Sequence, residues 1–226
     1  PYQLEGGSPY PSNSYGSYLG RMTVRDAVKI SSNTVAIKTL AMLTPQASFD
    51  FLTTKLGFTN SDDGLVYQKQ VGDRTLTDVA LAPLSMGGLT NGVSVREMAT
   101  AYSVFPRGGT YLESRTYYRV LDSNGNVLLD TSEDRVPVTA VKDTTAWYIN
   151  SMLEDVVSTQ RVSGNIATGY EAVLDNMTVA GKTGSTNSNR DRWFVGYTPY
   201  YTAAVWCGYD QQERISSKGN PAAQMW

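Results

Sequence analysis

The chain has 226 residues, 41% of them hydrophobic, with 5 Phe, 15 Tyr and 4 Trp, which is enough for one domain with a sizeable core. It contains no histidine, so a Ser-His-Asp triad, a Cys-His pair, an imidazole base and most zinc chemistry are excluded, and any catalysis runs on Lys, carboxylate, Tyr or hydroxyl groups. Nineteen Lys and Arg stand against 21 Asp and Glu, a net charge of −2 with no long block of either sign, which argues against nucleic acid as a partner.

Residues 1–20 are rich in Gly, Pro, Ser and Tyr without a sustained period and read as a loop. They carry neither the basic flank nor the apolar run of a signal peptide, and no stretch reaches the roughly 18 apolar residues that span a bilayer. The start lacks a Met and the end stops on the apolar Trp226, so both ends read as cut.

Thr23 followed by Asp26 predicts a helix start, with Val24, Ala27, Val28 and Ser31 on one face. That run breaks at Ser31-Ser32-Asn33. A second helix is expected over 34–43 with Asn33 as its N-cap, so the triplet sits at a junction between two helical pieces. Thr44-Pro45 opens a third helix, with Ala47, Phe51, Leu52 and Leu56 on one side and Gly57 as its stop. From Phe58 to Leu84 the pattern weakens to polar loop with a short helix near 78–83. Ser94 and Glu97 form a capping box ahead of an apolar stripe through Val95, Met98, Ala99, Tyr102 and Phe105.

Further on, 117–121 and 127–129 flank Asp122-Ser123-Asn124-Gly125-Asn126 as a hairpin, and 143–157 is an amphipathic helix. The last third is sheet: one strand over 178–186, then a hairpin of 193–197 and 201–209 turning at Thr198-Pro199-Tyr200. Cys207, in the run AAVWCGY, reads as a core residue rather than a nucleophile. Helices followed by an antiparallel meander predict an α+β fold, an antiparallel sheet flanked by helices.

Chemistry concentrates in Gly181-Lys182-Thr183-Gly184-Ser185-Thr186. Gly181-Lys182-Thr183 copies the end of a phosphate-binding loop, but position 176 is Asn where such a loop needs Gly, and strand rather than helix follows. The alternative is an edge strand on which Gly181 and Gly184 leave room for a substrate backbone, Lys182 offers charge, and Thr183, Ser185 and Thr186 offer hydroxyls to a carboxylate, with the Ser185 N–H for an oxyanion. A strand whose lysine points to solvent, and a triplet that is only a helix cap, are the plain readings of each motif alone. Their coexistence favours chemistry.

A Ser-x-Asn triplet followed far downstream by a Lys-Thr-Gly strand resembles the penicillin-binding proteins and serine β-lactamases. Residues 20–28 resemble the lead-in of the bifunctional, class A penicillin-binding proteins, 87–102 their central helix, and 191–199 with 205–210 the strands after Lys-Thr-Gly. The resemblance implies that 1–226 is the C-terminal part of a D,D-transpeptidase domain, which joins peptidoglycan stem peptides through an acyl-serine and is acylated by β-lactams, without a cofactor.

It assigns Ser31 to the proton relay, Asn33 to the substrate amide, Lys182 to positive potential, and Thr183, Gly184, Ser185 and Thr186 to the substrate carboxylate and oxyanion. The implied partners are stem peptides of lipid II-derived glycan strands, β-lactam antibiotics and an upstream segment. That segment is expected to hold the nucleophile, because no serine here has lysine three residues on. The one hydroxyl so spaced, in Thr139-Ala140-Val141-Lys142, reads as chance.

The parent is expected at the outer face of the bacterial cytoplasmic membrane, behind a glycosyltransferase domain. Ser185 stands where threonine is commoner and Arg107 where asparagine is usual, while 157–176 matches poorly. A β-lactamase-like hydrolase, a D,D-carboxypeptidase and a non-catalytic β-lactam- or peptidoglycan-binding module remain as alternatives.

Overall fold

The computed structural model describes residues 9–61 and 63–226, together with the backbone of residues 2–3. Seven α-helices run along it: α1 (Val24–Lys29), α2 (Asn33–Leu43), α3 (Pro45–Lys55), α4 (Leu81–Met86), α5 (Val95–Tyr102), α6 (Asp143–Val156) and α7 (Pro221–Met225). The central sheet has three antiparallel strands, β1 (Ala180–Ser185), β2 (Arg192–Tyr197) and β3 (Thr202–Cys207), in the order β1-β2-β3. The fold is α+β, as the order of elements predicts. None of the described helices is long and apolar enough to cross a membrane.

Residues alternate across the sheet, and each face has its own core. On one face Ala180 and Tyr197 pack with Leu153 and Val156 of α6 and with Val28, Tyr102, Phe105 and Ile149. On the other, the fully buried Phe194 packs with Val157, Ala172, Val179, Ala222 and Ala223, flanked by Val205, Cys207 and Trp226. Trp226 meets the Phe194 ring edge-on and donates from Nε1 to the Ala203 carbonyl at 3.0 Å. Cys207 is half-buried against this cluster, in keeping with a core role. A third cluster, Phe49, Phe58, Leu65 and Ala101, joins α3 and α5.

Local signals set most helix ends. Thr23 accepts from the Asp26 N–H, Thr44 from the Ala47 N–H, and Ser94 and Glu97 close their capping box in both directions. Several expectations are corrected. Helix α2 begins at Asn33, so Ser32 is its N-cap, and the residue that α3 buries is Phe49, which the predicted stripe omits, while Leu52 and Leu56 of that stripe pack against the same cluster and Ala47 is exposed. The region read as loop after Phe58 contains a two-stranded ribbon, Lys69–Val71 with Arg74–Leu76, and its helix lies at Leu81–Met86.

The expected loop 1–20 contains a ribbon pairing Tyr2–Gln3 with Pro9–Tyr10, while residues 1 and 4–8 lie outside the described residues. The hairpin at Arg119–Leu121 and Val127–Asp130 forms as predicted, its turn held by Asp122 accepting from the Asn124 and Asn126 N–H groups at 2.8 Å each.

Candidate active site

Ser31 sits between α1 and α2 with φ of +56°, a left-handed conformation that serine rarely adopts. It persists because both sides are anchored. The Ser31 and Ser32 amides donate to the Val28 and Ala27 carbonyls, closing α1, and Ser32 opens α2. Ser32 makes no side-chain cap of its own. Instead Asn13, brought in from the N-terminal loop, accepts from the Thr34 N–H at 3.3 Å and from Ser32 Oγ at 3.4 Å, while Tyr15 Oη donates to Ser32 Oγ. Asn33 Nδ2 donates to the Ser12 carbonyl at 2.8 Å. The loop at 12–15 therefore grips the triplet from outside.

Below it, α1 is clamped to α6. Arg25 donates to Asp155 and to the Ser151 carbonyl at 2.9 Å each, and Lys29, whose side chain is only 7% exposed, donates to Gln160 and lies 3.7 Å from Asp155. This clamp sets the height of Ser31 above the sheet.

Strand β1 is an edge of the sheet, as expected, and its register pairs Lys182 with Val195, Thr183 with Phe194 and Ser185 with Arg192. Lys182 reaches across to the helix junction, and its Nζ donates to Ser31 Oγ at 2.7 Å and to the Thr183 carbonyl at 3.1 Å. Burial of the ammonium pushes its pKa down from 10.5 to about 8, because desolvation disfavours the charged form. Near neutral pH the group is still mostly charged.

Ser185 is exposed and its hydroxyl accepts from Arg192 Nη1 at 2.9 Å. Thr183 and Gly184 are half-buried. Thr186 closes the turn: its hydroxyl donates to Asp191 Oδ2 at 2.9 Å and accepts from the Asp191 N–H at 2.8 Å, while Trp206 Nε1 holds the other oxygen of Asp191.

The geometry thus joins Ser31 to Lys182, and places Thr183, Gly184 and Ser185 along the same open edge. Asn33, two residues on from Ser31, directs its amide to the Ser12 carbonyl. Gly181 also serves differently from expectation: a Cβ there would lie 2.6 Å from Phe194 and 2.9 Å from the Val195 carbonyl, so its smallness is required by packing within the sheet. Sequence reasoning missed Asn13, Asp155 and Arg192. Arg25 and Lys29, four residues apart on one helix face, gave a signal for a carboxylate partner but not its identity.

The family described as penicillin binding protein transpeptidase domain matches residues 1–223. Penicillin-binding protein 1A of Clostridium acetobutylicum is 35% identical over 223 residues, 97% of this chain and 24% of that protein, so the chain spans about a quarter of the relative's length. Among solved structures, penicillin-binding protein 1A from Haemophilus influenzae superposes with a TM-score of 0.70 at 21% identity, covering 99% of this chain and 35% of that one. The PonA1 protein from Mycobacterium tuberculosis in complex with penicillin V gives 0.69 at 23%, covering 90% and 52%.

Proposed function

The chain belongs to the penicillin-binding protein transpeptidase domains, of the class A kind carried by its penicillin-binding protein 1A relatives, and from that premise we propose that it supplies the Lys-Thr-Gly strand and the Ser-x-Asn junction of a serine-type D,D-transpeptidase. The observation that carries this reading is the 2.7 Å hydrogen bond from Lys182 to Ser31, which joins the two motifs across 151 positions of sequence.

In this reading a stem peptide lies along the free edge of β1, and the attacking serine comes from a Ser-x-x-Lys segment outside this chain. A bond forms between that serine oxygen and the penultimate D-Ala carbonyl carbon, and the C–N bond to the terminal D-Ala breaks. The proton of the attacking serine passes to the lysine of its own segment and then through Ser31 to the departing amine. The amine of a second stem peptide then attacks the ester, the proton returns by the same route and the serine is regenerated.

Ser31 suits the relay because accepting from Lys182 leaves its own proton to pass on. Lys182 supplies the positive potential, the Ser185 N–H stabilises the oxyanion, and Thr183 and Ser185 bind the substrate carboxylate. A β-lactam enters the same site and acylates the same serine, which agrees with the penicillin V complex of PonA1. The parent protein works on peptidoglycan at the outer face of the cytoplasmic membrane.

The test is covalent labelling of the intact protein with fluorescent penicillin. Long-lived label is expected, and Lys182→Ala should slow its formation about 10²-fold or more, as removal of other preorganised electrostatic groups does. An intact protein that takes no label overturns the reading, and rapid release of the label assigns a hydrolase instead.

A further inference from the structure

A cavity of about 430 Å³ lies between the C-terminal end of α5, the turn that joins β2 to β3, and the chain around Arg115 and Arg135. It touches the sheet at the start of β3, the edge opposite β1, and shares no residue with the candidate active site. Three arginines line it, Arg107, Arg115 and Arg135, and among the described residues no Asp or Glu does. In a chain of net charge −2 this is a local excess of cations. Carboxylates are at hand, since Glu113, Glu133 and Asp134 stand one or two positions from Arg115 or Arg135. All three are nevertheless exposed, and no ion pair among the described residues includes any of these arginines.

Neutral carbonyls hold two of the guanidinium groups instead. Arg115 Nη1 donates to the Thr131 carbonyl at 2.7 Å and to the Ser132 carbonyl at 3.4 Å, and its guanidinium carbon lies 3.8 Å from the centre of the Tyr118 ring. Its Nε is buried with no partner among the described residues. Arg135 Nη1 donates to the Glu113 carbonyl at 3.0 Å. A guanidinium held through one nitrogen keeps the rest of its fork for another acceptor, and a half-buried cation is costly until an anion joins it. Arg107, which stands where the resembled family usually has asparagine, adds a third cation at the exposed side of the cavity. Tyr118, Tyr200 and Tyr201, all exposed, add hydroxyl donors that no described residue engages.

The lining thus offers several donors and three positive charges to one occupant. A carboxylate cancels one charge, whereas a phosphate brings up to two charges and three acceptor oxygens in one compact group, and guanidinium forks bind it bidentately. We propose that this cavity is a binding site for a phosphate-bearing ligand, a diphosphate or a phosphate ester, whose anion is held jointly by Arg107, Arg115 and Arg135. The site is separate from the transpeptidase reading and stands without it.

The experiment titrates the intact protein calorimetrically with inorganic pyrophosphate at fixed ionic strength, with citrate as a carboxylate of similar charge, and measures co-sedimentation with phosphatidylcholine vesicles with and without phosphatidic acid. Saturable binding is expected, at least tenfold tighter for pyrophosphate than for citrate. Arg107→Ala should weaken it about 10-fold and Arg115→Ala about 10- to 100-fold, as expected for loss of hydrogen bonds to a charged group. Arg115→Lys should fall between, keeping charge without the fork.

Pyrophosphate binding that needs Arg107 supports a soluble phosphate ligand, and vesicle binding that needs both phosphatidic acid and Arg107 supports the same site filled by a lipid headgroup. Binding to neither probe overturns the proposal, as does binding that the arginine variants leave unchanged, which lies elsewhere on the protein. Citrate bound as tightly as pyrophosphate overturns the assignment to phosphate. If Arg115→Ala does not fold, Arg107→Ala carries the comparison, because the Arg107 side chain makes no bond to the described residues that the fold would lose.

Discussion

Lys182 Nζ and Ser31 Oγ lie 2.7 Å apart, and neither residue is in an ordinary state. Ser31 is held at a positive φ and Lys182 is desolvated, so each side of the contact carries a cost that the surrounding packing sustains. Strain of this kind gathers at functional sites because the fold, rather than the local sequence, enforces it. The consequences are measurable one at a time.

The Lys182 ammonium should confer a pH limit. Its charged form predominates below about 8, so β-lactam acylation of the intact protein should fall as pH rises through that value, in a one-proton step that Lys182→Arg removes. Stability should move the opposite way. The pKa in the folded state lies below the ordinary 10.5, so between about 8 and 10.5 the unfolded chain binds the extra proton and folding stability gains with pH. A denaturation series should show Lys182→Met more stable than wild type at pH 7, with the gap narrowing above pH 8.

Ser31 separates backbone from hydroxyl. Ser31→Gly and Ser31→Ala both remove the acceptor of Lys182 and should both lose acylation. Glycine accommodates a φ of +56° and alanine does not, so Ser31→Gly should be more stable by about 1 kcal/mol in denaturant melts. Equal stabilities would mean that the positive φ carries no strain.

Asp155 anchors two cations. Asp155→Ala leaves the buried Lys29 without its carboxylate and should cost about 3 kcal/mol, well beyond a surface ion pair. Arg25→Ala, at the exposed side of the same clamp, should cost under about 1 kcal/mol. Chemical denaturation of the two variants checks the difference, and Asp155→Ala should also slow acylation because α1 carries Ser31.

Gly181→Ala should destabilise by about 1–3 kcal/mol through overpacking against Phe194. Combining it with Phe194→Leu should recover part of the loss if Phe194 is the obstacle, and a double-mutant cycle measures the coupling.

Much of the local structure was legible because it is decided locally. The Ser94–Glu97 box, the Thr23 and Thr44 caps and the Asp122 turn depend on atoms within a few residues, and each formed as its residues predict. Errors came where distant chain intervened. Asn33 has a good capping side chain, yet Asn13 caps the start of α2 from 21 positions away, which frees Asn33 to bind Ser12. Leu52 and Leu56 of α3 pack inward as their spacing predicts, but the buried Phe49 lies outside that stripe, because Phe58, Leu65 and Ala101, none of them in its own helix, cover it.

By itself, the sequence determined the chemical repertoire: no imidazole, a lysine in a glycine-flanked strand, and a serine at a helix junction, in an order that resembles one family. Tertiary structure alone decided which of these groups meet. Lys182 reaches Ser31 because Asp155 clamps α1 onto α6, Arg192 reaches Ser185 through strand register, and Thr186 is bound to Asp191 at the turn. Composition and spacing fix the groups present and their local geometry. Partnership across 151 residues depends on how buried surfaces pack, which no local pattern encodes.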